Sequence, residues 1–198
     1  MNTLRKAKNL TLQSLIPSLL VIAGLAGINS SAQAACFGYP ESTAGCTVNG
    51  TAGACVGKLA AGDIIVAGAN YGGCTNPTTS PFANTSVCVI RGLGGNDLIT
   101  ASTTNYSNLL IVCSGGGNDV IQGGSNNDVF LGEAGQDIII GGGGTNLVFG
   151  GSENDTLLLG GTGYGGANFN YGGTGTRDVC QAGQSGLNVI PECEVKLP

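Results

Sequence analysis

Residues 114–158 divide, with no insertion, into five blocks of nine: SGGGNDVIQ, GGSNNDVFL, GEAGQDIII, GGGGTNLVF and GGSENDTLL. Each block opens Gly-rich, carries Asp or Asn sixth and ends in three mostly apolar residues. The sixth positions are Asp119, Asp128, Asp137, Asn146 and Asp155, and the eighth are Ile121, Phe130, Ile139, Val148 and Leu157. A fixed short period is the mark of a solenoid. The last three residues of a block make a minimal strand whose eighth residue points one way and its neighbours the other. The Gly-rich half must turn the chain back, which needs φ > 0 at several points; Gly adopts that without a Cβ clash. Two blocks then close one coil, and like blocks stack two apart at roughly 4.8 Å. This arrangement puts Asp119, Asp137 and Asp155 on one edge and Asp128 and Asn146 on the other. The expected fold is all-β: a parallel β-roll, or β-solenoid, of nine-residue Gly-rich repeats with disulfide-stapled ends.

Carboxylates stacked so closely repel, and the turns aim backbone carbonyls at the same space. Calcium answers both, since it takes about six to eight oxygens and mixes carboxylates with carbonyls. Each ion is expected between adjacent turns of one edge. Asp119/Asp137 and Asp137/Asp155 are the best pairs, and Asp128/Asn146 is poorer by one charge. The competing reading is that these residues only cap turns through local hydrogen bonds.

At these residues the chain resembles the RTX, or haemolysin-type, calcium-binding repeat family, whose motif is GGxGxDxUx. The resemblance is close over 114–158 and good over Gly92–Thr100, and looser in the flanks. It implies a parallel β-roll with calcium in the turns. It also implies carboxylate ligands at Asp97, Asp119, Asp128, Asp137 and Asp155. The C-terminal stretch from Gly-Thr-Arg-Asp178 to Cys193-Glu194 is similar to the end of secreted, Cys-bearing relatives. The departures are Asn146 for Asp, Glu133 for the second Gly of its block, and Glu153 at a fourth-position Gly. They either weaken sites or add ligands.

Glycine is 37 of 198 residues, against a usual level of roughly 7%. There is no His, which removes Ser-His-Asp and Cys-His catalysis and every His metal site. Residues 1–35 read as a signal peptide: Arg5, Lys6 and Lys8, the apolar run Leu19–Ile28, and Ala32-Gln33-Ala34 before the cut near Ala34. That run is too short to span a bilayer. A lipoprotein signal ending at Cys36 is the rival, with Gln33 where such signals usually carry Leu. Cleavage leaves four basic residues against 12 acidic ones, a balance that suits cations and neither nucleic acid nor anionic membrane. All eight Cys lie from Cys36 onward, an even number that reads as four disulfides in an exported chain. Cys180–Cys193, closing a short C-terminal loop, is the one pairing to expect. Zinc is the alternative, but there is no C-x-x-C pair.

Residues 36–113 read as a Cys-rich, irregular start with loop insertions at Asn70–Thr85 and Ala101–Asn108. Residues 114–158 are the regular roll, and 159–198 are degenerate repeats and a C-terminal cap. Gly62-Asp63-Ile64 looks like the second half of a block, and Asp178-Val179-Cys180 echoes a block ending. The positions flanking the inward residue are also apolar: Val129 and Leu131, Ile138 and Ile140, Leu147 and Phe149. Either the loops cover them or they form an interface for self-association or a cell-surface partner.

The expected function is a secreted calcium-binding β-roll with a structural or adhesive role at or outside the cell surface, and not an enzyme. The runner-up is a calcium-independent β-solenoid acting as a scaffold or partner-binding surface. The remote third is a secreted polysaccharide-active enzyme, for which paired carboxylates exist but only on the structural period. Gly53-Ala-Cys-Val-Gly57-Lys58 is one residue short of a phosphate loop, and Leu59 stands where Ser or Thr is needed. Gly183-Gln-Ser185-Gly has no His to activate it.

Overall fold

The computed structural model describes residues 36, 42, 44–59, 62–72, 87–101, 109–158, 168–181, 188–189 and 192–197. The expected signal peptide and most of the two early insertions lie outside the described residues. The strands are β1 (Ala44–Val48), β2 (Thr51–Gly53), β3 (Ile64–Gly72), β4 (Val87–Gly94), β5 (Leu98–Ala101), β6 (Leu109–Gly116), β7 (Val120–Gln122) and β8 (Asp128–Ala134). They continue with β9 (Ile138–Ile140), β10 (Leu147–Ser152), β11 (Thr156–Leu158), β12 (Asn168–Gly173), β13 (Val179–Gln181), β14 (Asn188–Val189) and β15 (Val195–Leu197).

From β3 onward odd strands build one sheet and even strands the other, as a coil with a strand on each side requires. The order is β15-β13-β11-β9-β7-β5-β3-β1-β2 in the nine-stranded sheet and β14-β12-β10-β8-β6-β4 in the six-stranded one. The rungs pair in parallel, with Val120 beside Ile138 and Ile138 beside Thr156. The protein is an all-β parallel β-solenoid. Its start is closed by an antiparallel hairpin, β1–β2, laid antiparallel on β3. Asn49 and Gly50, at φ 50° and 81°, make its turn.

The inward residues of the repeats form the core between the sheets. Ile121, Phe130, Ile139, Val148 and Leu157 are each 0% exposed and belong to one cluster with Ile65, Ile90 and Ile99. That cluster contains the Cys46–Cys55 disulfide from the first rungs and the Cys180–Cys193 disulfide from the last. A solenoid core is open at both ends, and here each end carries a covalent staple. Cys36 bonds to Cys113, which takes up the thiol a lipid anchor at Cys36 would need. Cys88 is also disulfide-bonded, its partner lying outside the described residues.

The flanking apolar positions divide by sheet. On the six-stranded sheet Val129, Leu131 and Leu147 are buried in a second cluster with Cys36, Val89, Ile111 and Cys113, and Phe149, Phe169 and Tyr171 pack against it. Phe149 stacks on Tyr171 with centroids 4.9 Å apart. On the nine-stranded sheet Ile64, Val66, Leu98 and Ile138 remain exposed.

The two edges are treated differently by the chain. The turns from the six- to the nine-stranded sheet, called here the first edge, are short and each ends in an acidic residue. The longer connections, β3 to β4, β5 to β6 and β11 to β12, each join the nine- to the six-stranded sheet, across the second edge.

Candidate metal centre

Each first-edge turn ends in an acidic residue just before its nine-stranded-sheet strand. Its Oδ1 accepts the backbone N–H of the equivalent residue one coil earlier. Asp63 N–H donates to Asp97 at 2.7 Å, Asp97 to Asp119 at 2.7 Å, Asp119 to Asp137 at 2.8 Å, Asp137 to Asp155 at 2.8 Å and Asp155 to Asp178 at 2.9 Å. Asp178 N–H donates to Glu194 Oε2 at 2.6 Å and ends the ladder. The rise is 18 residues from Asp119 to Asp137 and again to Asp155, but 34, 22 and 23 at Asp63–Asp97, Asp97–Asp119 and Asp155–Asp178. The ladder survives because most of the added length lies on the opposite edge; the turn from Gly172 to Asp178 takes up one extra residue.

These bonds use one carboxylate oxygen each. Oδ2 of Asp97, Asp119, Asp137, Asp155 and Asp178 is buried with no hydrogen-bond partner, and all five residues are at most 2% exposed. An orphaned buried oxygen is costly, and a repeated row of them calls for a common partner. The glycine opening each turn shows where that partner fits. A Cβ built on Gly132 would lie under 3.0 Å from both Asp137 Oδ2 and the carbonyl oxygen of Gly150 in the next coil. The same pair of oxygens, one carboxylate and one carbonyl, meets at Gly92 (Asp97, Ser114), Gly150 (Asp155, Gly172) and Gly172 (Asp178, Glu192). Only Gly leaves these cradles open. At Asp119 the equivalent position is Ser114, whose hydroxyl donates to the Gly132 carbonyl at 2.8 Å.

The electrostatics agree. Burial pushes the Asp137 carboxyl up to about 7 and that of Asp155 up to about 8, against the lowering effect of the backbone N–H each accepts. Burial likewise raises Asp97 to about 6 and raises Asp119 and Asp178. The neighbouring carboxylates of the ladder add to the rise at Asp97, Asp137 and Asp155. A cation would reverse both penalties. Among the described residues no three His, Cys, Asp or Glu side chains converge on a point. The oxygens that complete a shell must therefore include carbonyls, and an all-oxygen, mixed set is what calcium accepts.

Asp63, at the start of the ladder, differs. It accepts from the Asn49 side-chain amide at Oδ1 and from Lys58 N–H at Oδ2, so the protein itself satisfies both oxygens. The second edge is built differently. Asp128 N–H donates to Asn146 Oδ1 at 3.0 Å and Asn146 N–H to Asn168 Oδ1 at 2.9 Å. Asn146 Nδ2 donates to the carbonyls of Gly141 and Gly143, each at 3.1 Å. An amide nitrogen here gathers turn carbonyls. Asp128 accepts from the backbone N–H groups of Leu110 and Gly124, and burial raises it to about 7.

Residues 114–139 and 122–157 match the RTX calcium-binding nonapeptide repeat, in four copies. The chain carries RTX calcium-binding repeats. No curated protein and no solved structure matches it. The match takes in the regular rungs and less than half of the chain's 198 residues.

Of the residues singled out in the RTX pattern, Asp97, Asp119, Asp137 and Asp155 stack on the first edge, and Asp128 and Asn146 stack together on the second. The ladder also contains Asp63, Asp178 and Glu194, which the nine-residue register does not reach. Asp63 and Asp178 carry a signal, an Asp followed directly by apolar residues at Asp63-Ile64-Ile65 and Asp178-Val179-Cys180; Glu194 does not. Among the described residues no helix is long and apolar enough to cross a membrane.

Proposed function

We propose that the protein is an exported calcium-binding β-roll whose ions lie along the first edge, with a structural or adhesive role at or outside the cell surface. The observation that carries the reading is the row of buried, unpartnered Oδ2 atoms at Asp97, Asp137, Asp155 and Asp178, each beside a backbone carbonyl. Ions between successive turns would pair these oxygens, screen the stacked charges and tie each coil to the next. Asp97, Asp119, Asp137, Asp155 and Asp178 supply the carboxylates. Ser114 weakens the place beside Asp119 by donating into it. The second edge, with Asp128, Asn146 and Asn168, is held by amides and needs no metal.

The buried disulfides and acidic balance favour the outside of the cell, where calcium fills even sites with Kd of about 10⁻⁴–10⁻³ M. The exposed apolar residues of the nine-stranded sheet favour a structural or adhesive role. No catalytic role is assigned, because the acids follow the structural repeat and there is no His.

Calorimetric titration of the chain with calcium, with circular dichroism before and after chelation, tests the reading. Heat at more than one equivalent and a β-spectrum that strengthens with calcium are expected. An absence of heat with an unchanged spectrum would establish the calcium-independent scaffold instead.

A further inference from the structure

Glu133 stands in a column of the roll where the backbone is left-handed in five successive coils. Its register neighbours are Leu93, Gly115, Gly151 and Gly173. Their φ values are 80°, 106°, 123° and 108°, and that of Glu133 is 74°. Glycine is at ease there, and Glu is not among the residues that visit this region cheaply. Leu93 shows that the column tolerates a side chain, so tolerance alone assigns nothing to Glu133. What sets Glu133 apart is its carboxylate: Oε1 is buried and has no hydrogen-bond partner.

Its surroundings make that costly. Glu133 directly follows Gly132, where Asp137 Oδ2 and the Gly150 carbonyl meet. The charges of Asp119 and Asp137 both act on it unfavourably, and Arg91 acts favourably. One guanidinium thus favours the Glu133 charge while two carboxylates oppose it. Ser114 also occupies the neighbouring cradle, which leaves this stretch of the edge one open place short. A strained backbone, an orphaned buried oxygen and a surplus of negative charge coincide at one residue.

We propose that Glu133 is a further calcium ligand, outside the repeat's own pattern, serving the step between Asp119 and Asp137. This rests on the calcium reading above. The three carboxylates do not meet as they stand. Both Asp side chains are held by their Oδ1 bonds, so Glu133 is the arm that swings, through its three side-chain torsions, to close on the ion. Glu153 offers the contrast. It stands in the other left-handed column, at φ 79° beside Gly95, Gly117 and Gly135, but it is exposed. It carries the same charge and the same strain without a buried oxygen.

The test is calcium titration calorimetry on the full chain and on Glu133→Gln, Glu133→Gly, Glu153→Gln and Arg91→Gln, with thermal melts in chelator and in calcium. Both Glu133 variants are expected to weaken one class of site by about tenfold or more, and Glu153→Gln by less than about threefold, because calcium affinity follows the charge and number of ligands. Without calcium, Glu133→Gly is expected to melt no lower than the parent, since it removes strain and a half-buried charge. In calcium its gain in melting temperature is expected to be smaller. A Glu133→Gln isotherm superimposable on the parent's overturns the proposal. Equal weakening by Glu133→Gln and Glu153→Gln also overturns it, showing a general field. So does a matched fall in calcium-free melting temperature for Glu133→Gln and Arg91→Gln, which makes Glu133 a partner of Arg91. A parent that takes up no calcium sinks the calcium reading itself and this proposal with it, whereas the other three outcomes leave that reading intact.

Discussion

A single side chain decides whether a turn of this roll calls for a cation. Gly132 has no left-handed φ, so Ala there meets no φ penalty, but its Cβ would lie under 3.0 Å from both Asp137 Oδ2 and the Gly150 carbonyl oxygen and would fill the space they share. Gly132→Ala is therefore expected to remove one calcium equivalent in a titration and to lower the melting temperature more in calcium than in chelator. Equal losses under both conditions would mean that the cradle is only tight packing. Asn146 is the reverse case. Asn146→Asp removes the donor to the Gly141 and Gly143 carbonyls and adds a buried charge beside Asp128. Unfolding in chelator should show a loss of about 2 kcal/mol, the cost of leaving buried acceptors unpaired. Calcium should restore much of it and add one binding equivalent. An Asn146→Asp variant as stable in chelator as its parent would show that Asn146 does not stand in for an ion.

At the level of strands and turns, much was readable in advance. The eighth residues of the blocks are the core, as the two-residue alternation of a strand requires, and the Cys180–Cys193 bond is present. Asp63 and Asp178 escape the nine-residue count, because irregular stretches separate each of them from the regular blocks. The hydrogen-bond ladder depends on stacking in space and ignores how many residues intervene. The opening hairpin had a signal that periodicity does not seek: Asn49-Gly50 between short apolar runs. Why one set of apolar flanks is buried and the other exposed was not readable, since both read alike in sequence and only packing separates Val129 from Ile138. The end staple has a measurable value. Cys180 and Cys193 are 13 residues apart, and opening such a loop costs about 3 kcal/mol in the chain-entropy view. Replacing both with Ala should lower stability by that order in denaturant unfolding and expose the last ladder step, Asp178–Glu194, to rapid amide exchange. Exchange at Asp178 unchanged from the parent would show that the ladder end does not need the bond.

For the whole molecule, the stacked acids predict an unusual pH response. In the calcium-free chain, burial raises Asp97 to about 6, Asp128, Asp137 and Glu133 to about 7, and Asp155 to about 8, from ordinary values of 3.8 for Asp and 4.5 for Glu. The folded form then holds more protons than the unfolded one across that window, so stability falls as pH rises from about 4 to about 8. Below about 4 both forms are protonated and the dependence vanishes. Melting in chelator should rise as pH is lowered through this window, and the gain given by calcium should shrink in the same direction, because ions and protons compete for the same oxygens. A chelated chain that melts higher at pH 8 than at pH 5 would contradict the raised carboxyls.

The nine-residue period was enough to establish the coil, the parallel stacking, the identity of the core residues and the presence of acids on both edges. These follow from local geometry: strands alternate, Gly turns, and equal repeats stack in register. Which edge keeps its carboxylates free was settled only by the tertiary arrangement. Insertions fall on the return turns, leaving the first edge an unbroken ladder from Asp63 to Glu194 with five orphaned oxygens. On the other edge Asn146 satisfies the turn carbonyls itself. A carboxylate's need for a cation depends on what else can reach its oxygens, and that is a property of neighbouring coils folded against each other.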